Sequence, residues 1–157
     1  MKISIPILVL FLATVTLSQV RRDNKERLLP TLLDKGSRTT EAQVQEAHTM
    51  FQTIEDGILA GNVGKFSHNF DRQIFVNITR GENGYFSSGQ AASLLQHYMG
   101  SRKVVSFKFS RLSDKGPTPY ATGRLVSIYR GTLETSQIYV SCSWQASGWV
   151  IGQFNIY

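Results

Sequence analysis

Three side chains of this sequence are the candidates for acid–base chemistry. Asp71 lies just before the first predicted strand, three residues after His68, while His48 and His97 each border the apolar face of a predicted helix. A general acid or base works best in a dry pocket, where burial shifts its pKa. Strand alternation that turns Ile74 inward turns Asp71 outward. For each of the three residues the sequence leaves two roles open, a catalytic one and a structural or solvent-exposed one.

Other kinds of catalytic or metal chemistry have no signature in the sequence. The three histidines lie far apart, and no cluster of His, Cys and Asp has the spacing of metal ligands. The usual Gly-rich phosphate loops and the Gly-x-Ser-x-Gly motif of a serine nucleophile are both missing. The single cysteine, Cys142, is predicted to lie in mid-strand as a buried, inert thiol. The sequence therefore predicts no metal and no cofactor, and it favours a non-enzymatic protein over an enzyme.

The net charge of +6 is concentrated near the N-terminus. Residues 21–38 hold six Lys/Arg against three Asp/Glu, whereas residues 39–157 hold ten against eight. Nucleic-acid binding needs a basic patch on a folded surface, and a nearly balanced domain does not supply one. We therefore predict no nucleic-acid partner, and we interpret residues 20–38 as a basic, flexible linker.

The first 19 residues have the three parts of an export signal. Lys2 supplies a positive charge, residues 3–15 form an apolar stretch, and small residues follow at Thr16 and Ser18. The stretch is shorter than the roughly 20 residues of a membrane-spanning helix. We therefore expect cleavage near Ser18 or Gln19, with no stable membrane span afterwards. The alternative is an uncleaved signal, which would hold the protein at the membrane as a short N-terminal anchor. The predicted location is the bacterial envelope, either periplasmic or secreted.

Residues 39–157 have the pattern of one α+β domain. A helix capped by Thr39 or Thr40 is predicted to end near Gly61, and a later helix is predicted to begin at a serine cap and end at Gly100. Short links between consecutive strands predict antiparallel neighbours. The other predicted elements are a short helix at 63–70, a hairpin of strands 73–79 and 85–86 with its turn at 81–84, and strands near 105–110, 120–129, 137–144 and 149–157.

Three segments of this domain resemble known proteins. They are Tyr85–Ala91 leading into a helix, the aromatic strand Ser106–Phe109 and the late strand Tyr120–Leu125. These segments look like a family of short exported bacterial proteins of unknown function, and the order of elements over residues 39–157 resembles the nuclear-transport-factor-two-like superfamily. The resemblance implies a cystatin-like cone, in which a curved antiparallel sheet wraps around N-terminal helices. It implies no particular activity, because that superfamily includes isomerases, dehydratases and lyases as well as scaffolds and dimerisation modules.

The open mouth of such a cone is the expected binding site. The candidates to line it are large apolar residues, namely Phe51, Ile54, Phe107, Tyr129 and Trp144, although the aromatic residues could instead fill the core or a dimer contact. The leading hypothesis is a non-catalytic exported domain that binds a small ligand or an envelope protein, with a homodimer through the sheet as one form. One alternative is a small-molecule isomerase, dehydratase or lyase that uses Asp71, His48 or His97 as its base. Another is a structural accessory of an envelope or secretion assembly.

Overall fold

The structure is a computed structural model, and it describes residues 40–114 and 116–157, which belong to the unit Thr39–Tyr157. The predicted export signal and the predicted linker lie outside the described residues. The described part contains two α-helices and one six-stranded, curved, open sheet. The predicted α+β class is therefore confirmed.

Helix α1, Glu41–Leu59, begins at a capping residue that the sequence predicts. The Thr40 hydroxyl accepts a hydrogen bond from the Gln43 N–H at 3.2 Å, and the Gln43 side chain accepts one from the Thr40 N–H at 2.8 Å. This reciprocal pair satisfies two N–H groups at the helix start. The buried face of α1 carries Ala47, Met50, Phe51, Ile54, Gly57 and Ile58. Their spacing of three and four residues directs one side of the helix into the core.

The short helix predicted over residues 63–70 is not continuous. Two 3-10 turns, Val63–Lys65 and Ser67–Asn69, replace it. Phe66 separates them with a φ of −128°, which is outside the helical region. Its ring is fully buried and stacks on Phe154, with 5.9 Å between the ring centroids. Packing of this ring into the core therefore outweighs the helical spacing of the local sequence.

Strands β1, Phe70–Ile78, and β2, Asn83–Ser87, form the predicted hairpin, but the turn lies earlier than expected. Asn83 pairs with Asn77 and belongs to the ladder. The residue with a left-handed backbone in the turn is Arg80, with a φ of 62°. The predicted Asn-Gly turn is therefore wrong, because the strand pairing extends through the asparagine.

Helix α2, Ser88–Gly100, follows β2 directly and is capped by Ser87. Gln90 completes a second capping box: its N–H donates to the Ser87 hydroxyl, and its side chain accepts from the Ser87 N–H. The buried face of α2 carries Ala91, Leu95, Tyr98 and Met99. The helix ends at the predicted glycine, and Ser101 and Arg102 lead the chain into the next strand.

The remaining strands are β3, Lys103–Ser113; β4, Tyr120–Tyr129; β5, Thr132–Gln145; and β6, Gly148–Ile156. The order across the sheet is β2-β1-β6-β5-β4-β3. Neighbouring strands are antiparallel, as the short links predict, except for β1 and β6, which are parallel. The predicted antiparallel arrangement is therefore confirmed for four of the five strand pairs, and the β1–β6 pair makes the sheet mixed. No short link constrains the direction of β6 relative to β1, because every other strand of the sheet lies between them in the sequence.

Edge strand β3 departs from regular alternation. Its pairing with β4 shifts between Val104 and Ser106, so Val105 has no partner on β4. Val105 is 52% exposed, whereas Phe107 is buried. A simple two-residue period in the sequence would place Val105 on the same face as Phe107, but a β-bulge breaks that period here.

Buried apolar residues of both helices form one cluster with those of β1, β3, β4, β5 and β6. Aromatic rings fill much of it: Phe51 contacts Phe109 edge to face at 5.8 Å, and Phe107 contacts Phe109 in the same way at 4.9 Å. The helices therefore lie on the inner face of the sheet, and the domain's own side chains fill that face beneath α1. Of the helices in the described part, none combines the length and the apolar character needed to cross a membrane.

Candidate functional site

A cavity of about 780 Å³ lies on the inner face, at the end of the sheet where β1 finishes and the β4–β5 hairpin turns. Its volume falls within the roughly 300–1,000 Å³ that is typical of small-molecule sites. Helix α2 and the residues after it contribute Leu94, His97, Tyr98, Ser101 and Arg102. The β4–β5 hairpin contributes Tyr129, Glu134, Thr135 and Ser136. The end of β1 and the β1–β2 turn contribute Ile78, Thr79, Arg80, Gly81 and Glu82, and Tyr157 after β6 also lines the cavity.

The hairpin between β4 and β5 directs Glu134 and Ser136 towards this cavity. Arg130 and Gly131 form its turn with φ values of 49° and 81°, and two positive φ values in succession are typical of a type I′ hairpin turn. In the resulting register Ser136 pairs with the buried Leu125. Glu134 lies two residues from Ser136 along β5 and therefore points to the same, inner face.

Arg102 is held in a fixed orientation in the wall of the cavity. Its guanidinium carbon lies 3.7 Å from the centroid of the Tyr98 ring and 4.4 Å from that of the Tyr129 ring. Its Nη1 donates to the Tyr98 carbonyl at 3.2 Å and to the Ser101 hydroxyl at 2.9 Å. A planar guanidinium stacks favourably on aromatic faces. The two rings and the two hydrogen bonds therefore fix the plane of the charged group.

The rest of the guanidinium is poorly satisfied. Nη2 lies 3.8 Å from Oε2 of Glu134, which is too long for a hydrogen bond. Nε is buried and has no hydrogen-bond partner in the described part of the chain. Among the described residues, Oδ1 of Asn155 is the other buried side-chain nitrogen or oxygen atom without a hydrogen-bond partner. Buried polar groups are nearly always paired, so this edge of Arg102 is an exception that calls for a physical reason.

The floor of the cavity combines apolar and hydroxyl groups. Tyr98 is 9% exposed, and its hydroxyl lies 3.3 Å from that of Ser136. Ile78 is similarly buried and contributes apolar surface beside them. The cavity can therefore hold an apolar body while offering hydroxyl and guanidinium groups to polar atoms.

The three acid–base candidates lie in three different places. His97 lines the cavity and is exposed. His48, on α1, has its Nε2 2.6 Å from Oδ2 of Asp114, which follows β3. Asp71 lies near the start of β1, where its Oδ2 accepts a hydrogen bond from the Gln145 side chain at 2.9 Å. The structure therefore does not bring these three candidates together in one site.

The five pocket-lining candidates predicted from the sequence also lie in different parts of the domain. Tyr129 lines the cavity. Phe51, Ile54 and Phe107 are buried in the core, with exposures of 4% or less. Trp144 is 43% exposed and packs edge to face on a second tryptophan. Residue type marks a side chain for burial, but it does not say whether that side chain meets a cavity or another side chain.

Sequence reasoning missed Arg102 and Glu134 as site residues. A basic residue just after a helix end often binds the last free carbonyls of the helix, and Arg102 does this at Tyr98. That signal was present in the sequence, two residues after Gly100. No local signal marks Glu134, because only the pairing of β4 with β5 brings it towards the end of α2.

The single thiol is held in its protonated form by burial. Cys142 is 2% exposed, and burial raises the pKa of its thiol to about 12. A cysteine is a nucleophile or metal ligand as the thiolate, so Cys142 is inert near neutral pH. Within residues 40–114 and 116–157, no three side chains of His, Cys, Asp or Glu are grouped as metal ligands would be.

Comparison of sequences identifies a family for this chain. The sequence profile described as "Domain of unknown function (DUF4783)" matches residues 51–157. A search of curated protein sequences finds no match. The profile covers more than half of the chain, including the end of α1, α2, every strand and the cavity.

Solved structures agree with this assignment at the level of the fold. A DUF4783 family protein from Bacteroides uniformis is 13% identical, with 67% of this chain and 93% of that chain covered and a TM-score of 0.60. A domain of unknown function with a cystatin-like fold from Nostoc punctiforme is 14% identical, with 75% and 78% covered and a TM-score of 0.56. An NTF2-like protein of unknown function from Pseudomonas putida is 10% identical, with 74% and 87% covered and a TM-score of 0.57.

These likenesses confirm the predicted fold, a cystatin-like, NTF2-like cone. They extend to the fold and not to an activity, since the identities are low and the relatives are themselves described as of unknown function. Because the family profile spans residues 51–157, this chain belongs to the DUF4783 family of domains of unknown function.

Proposed function

We propose that this protein is an exported, non-catalytic domain that binds a small ligand in the cavity between α2 and the β4–β5 hairpin. The observation that carries this proposal is a cavity of about 780 Å³ in which a guanidinium is fixed between two tyrosine rings. Partly apolar walls with a few well-placed polar groups are typical of ligand sites. Beneath α1 the inner face is filled by aromatic side chains, whereas this cavity lies beside α2.

The exposure of the histidine and of the carboxylates in the cavity favours binding over catalysis. His97 and Glu82 are exposed, and the side chain of Glu134 is 38% exposed. Acid–base catalysis draws its strength from a group in a dry pocket, which these groups do not occupy. A small-molecule isomerase, dehydratase or lyase is the second candidate function, because His97 lines the same cavity.

Export is proposed on the sequence alone. Residues 1–19 have a charged start, a short apolar centre and small residues before a polar segment, which together are typical of a secretory signal. The mature domain would then meet its ligand in the bacterial envelope or outside the cell.

The test is recovery of a retained ligand. The protein purified from its native envelope is denatured, and the released small molecules are compared by mass spectrometry among the wild type and two variants. Leu94→Trp fills the cavity from α2, whereas Ser93→Trp places the same side chain at the neighbouring exposed position, which does not line the cavity. Thermal melting monitored by circular dichroism confirms that both variants fold.

We expect a molecule that is retained by the wild type and by Ser93→Trp, and lost from Leu94→Trp. Equal retention by both tryptophan variants would show that the cavity is not the binding site. A retained molecule that is chemically altered by the wild type but not by a His97→Ala variant would favour the enzyme instead.

A further inference from the structure

We propose that the ligand of this cavity carries a carboxylate, which Arg102 binds side-on through Nε and Nη2, and that Glu134 is an internal carboxylate which the ligand replaces. This inference rests on the proposed ligand-binding function and names its ligand class. Its evidence is the incomplete bonding of one edge of a guanidinium that is otherwise rigidly held.

The two edges of the Arg102 guanidinium differ in their hydrogen bonding. Nη1 makes two hydrogen bonds, to the Tyr98 carbonyl and to the Ser101 hydroxyl. The opposite edge consists of Nε–H and one Nη2–H, which point in the same direction and together match the two oxygens of a carboxylate. On this edge Nε has no partner among the described residues, and Nη2 has only the distant Glu134.

Glu134 stands beside this edge without completing the bond. At 3.8 Å from Nη2, its carboxylate neutralises part of the charge but forms no hydrogen bond. Its side chain is 38% exposed, compared with 14% for Arg102. A half-exposed carboxylate keeps much of its hydration when it swings away, so its replacement by a carboxylate that reaches both N–H groups is favourable.

The surroundings suit an anion attached to a flat apolar body. The Tyr98 and Tyr129 rings cover the guanidinium, while Ile78 and Leu94 line the cavity nearby. The remaining charged wall residues, Arg80 and Glu82, are of opposite sign and both exposed. The cavity therefore has no excess negative charge to repel a carboxylate once Glu134 has moved.

The experiment compares a carboxylate with its neutral amide. Binding of 2-naphthoate and 2-naphthamide to the purified full chain is measured by isothermal titration calorimetry and checked by ligand-detected NMR. The first variant is Arg102→Lys, which keeps the positive charge but loses the two parallel N–H donors of the guanidinium. The second is Glu134→Gln, which removes the competing carboxylate with little change in side-chain shape. Arg130→Lys is the matched control, because Arg130 also approaches the Tyr129 ring, at 5.1 Å, but does not line the cavity.

For the wild type we expect the carboxylate to bind about tenfold more tightly than the amide, since charge-assisted paired hydrogen bonds are stronger than neutral ones. In Arg102→Lys this preference should fall below about threefold, and in Arg130→Lys it should remain. In Glu134→Gln the carboxylate should bind more tightly than in the wild type, while the amide should be unaffected. A misfolded variant cannot produce that selective gain.

Equal binding of naphthoate and naphthamide by the wild type would overturn the carboxylate assignment while leaving the cavity as a site for apolar ligands. Weaker naphthoate binding in Glu134→Gln would overturn the role given to Glu134. Absence of binding by both probes would also refute the inference, whereas the proposed function is decided separately by the retained molecule and the two tryptophan variants.

Discussion

Replacing Gly57 by alanine should destabilise the domain, although alanine is the better helix former. Gly57 lies inside α1, where the substitution would ordinarily add about 1 kcal/mol to the stability of the helix. A Cβ at this position would lie 2.5 Å and 2.8 Å from two carbons of the Phe66 ring, and 3.0 Å from the Asn62 carbonyl oxygen. Carbon atoms pack at about 3.5–4.0 Å, so the ring would have to retreat by about 1 Å. It is fully buried and stacked on Phe154, which leaves it little freedom to do so.

The two opposing effects can be compared. Overpacking of a rigid core costs about 1–3 kcal/mol, and a contact as short as this lies towards the upper end of that range. After the gain in helix propensity, we expect the free energy of unfolding to fall by about 2 kcal/mol. For a domain of this size, the melting temperature should fall by about 8 °C.

The assay is urea denaturation followed by tryptophan fluorescence and circular dichroism. Gly89→Ala is the matched control, because it lies in α2 and a Cβ there meets nothing within 4 Å, so its stability should be unchanged or higher. In a Phe66→Leu background the loss caused by Gly57→Ala should shrink by at least about 0.5 kcal/mol, as expected for residues in contact. A Gly57→Ala protein as stable as the wild type, or an equal loss in both backgrounds, would refute the reasoning.

Four further outcomes are expected. The Cys142 thiol should resist a thiol reagent at pH 8 until urea unfolds the chain, because burial raises its pKa to about 12; rapid labelling of the folded protein would contradict this. Since the thiolate forms more easily in the unfolded chain, the free energy of unfolding should fall as the pH rises from about 9 towards 12, and less steeply in Cys142→Ala than in the wild type. His48→Ala should lower the free energy of unfolding by about 1 kcal/mol or less, because its pair with Asp114 is partly exposed, while His68→Ala at an exposed position should leave it unchanged. N-terminal sequencing of the exported protein should begin near Gln19 or Val20, and an intact Met1 would refute the cleavage.

The features of the fold that depend on neighbouring residues could be predicted from the sequence. The caps at Thr40 and Ser87 are examples, because each relies on a glutamine three residues later in the chain. Strand β4 was predicted with its observed bounds, since its inward and outward residues alternate regularly. Local hydrogen bonding and a simple period are sufficient information for such elements.

Features that depend on distant residues could not be predicted in the same way. The break at Phe66 is set by a ring contributed by β6, and the exposure of Val105 is set by a bulge against β4. The same distinction between local and distant contacts applies to the residues of the candidate site. Tyr129 could be selected as a large aromatic residue near a hairpin, whereas the closeness of Arg102 and Glu134 exists only after α2 and the β4–β5 hairpin have packed together.

The parallel pairing of β1 with β6 has a consequence for the order in which the chain can fold. The hairpin β1–β2 and the meander β3–β4–β5 can each form from nearby residues, but β6 alone hydrogen-bonds to both, through β1 on one side and β5 on the other. The sheet therefore stays in two pieces until β6 has been synthesised, and contacts between residues so distant in sequence form slowly. For the export proposed above, this delay would keep the polypeptide unfolded while it passes through a translocation pore, and β6 would complete the sheet last.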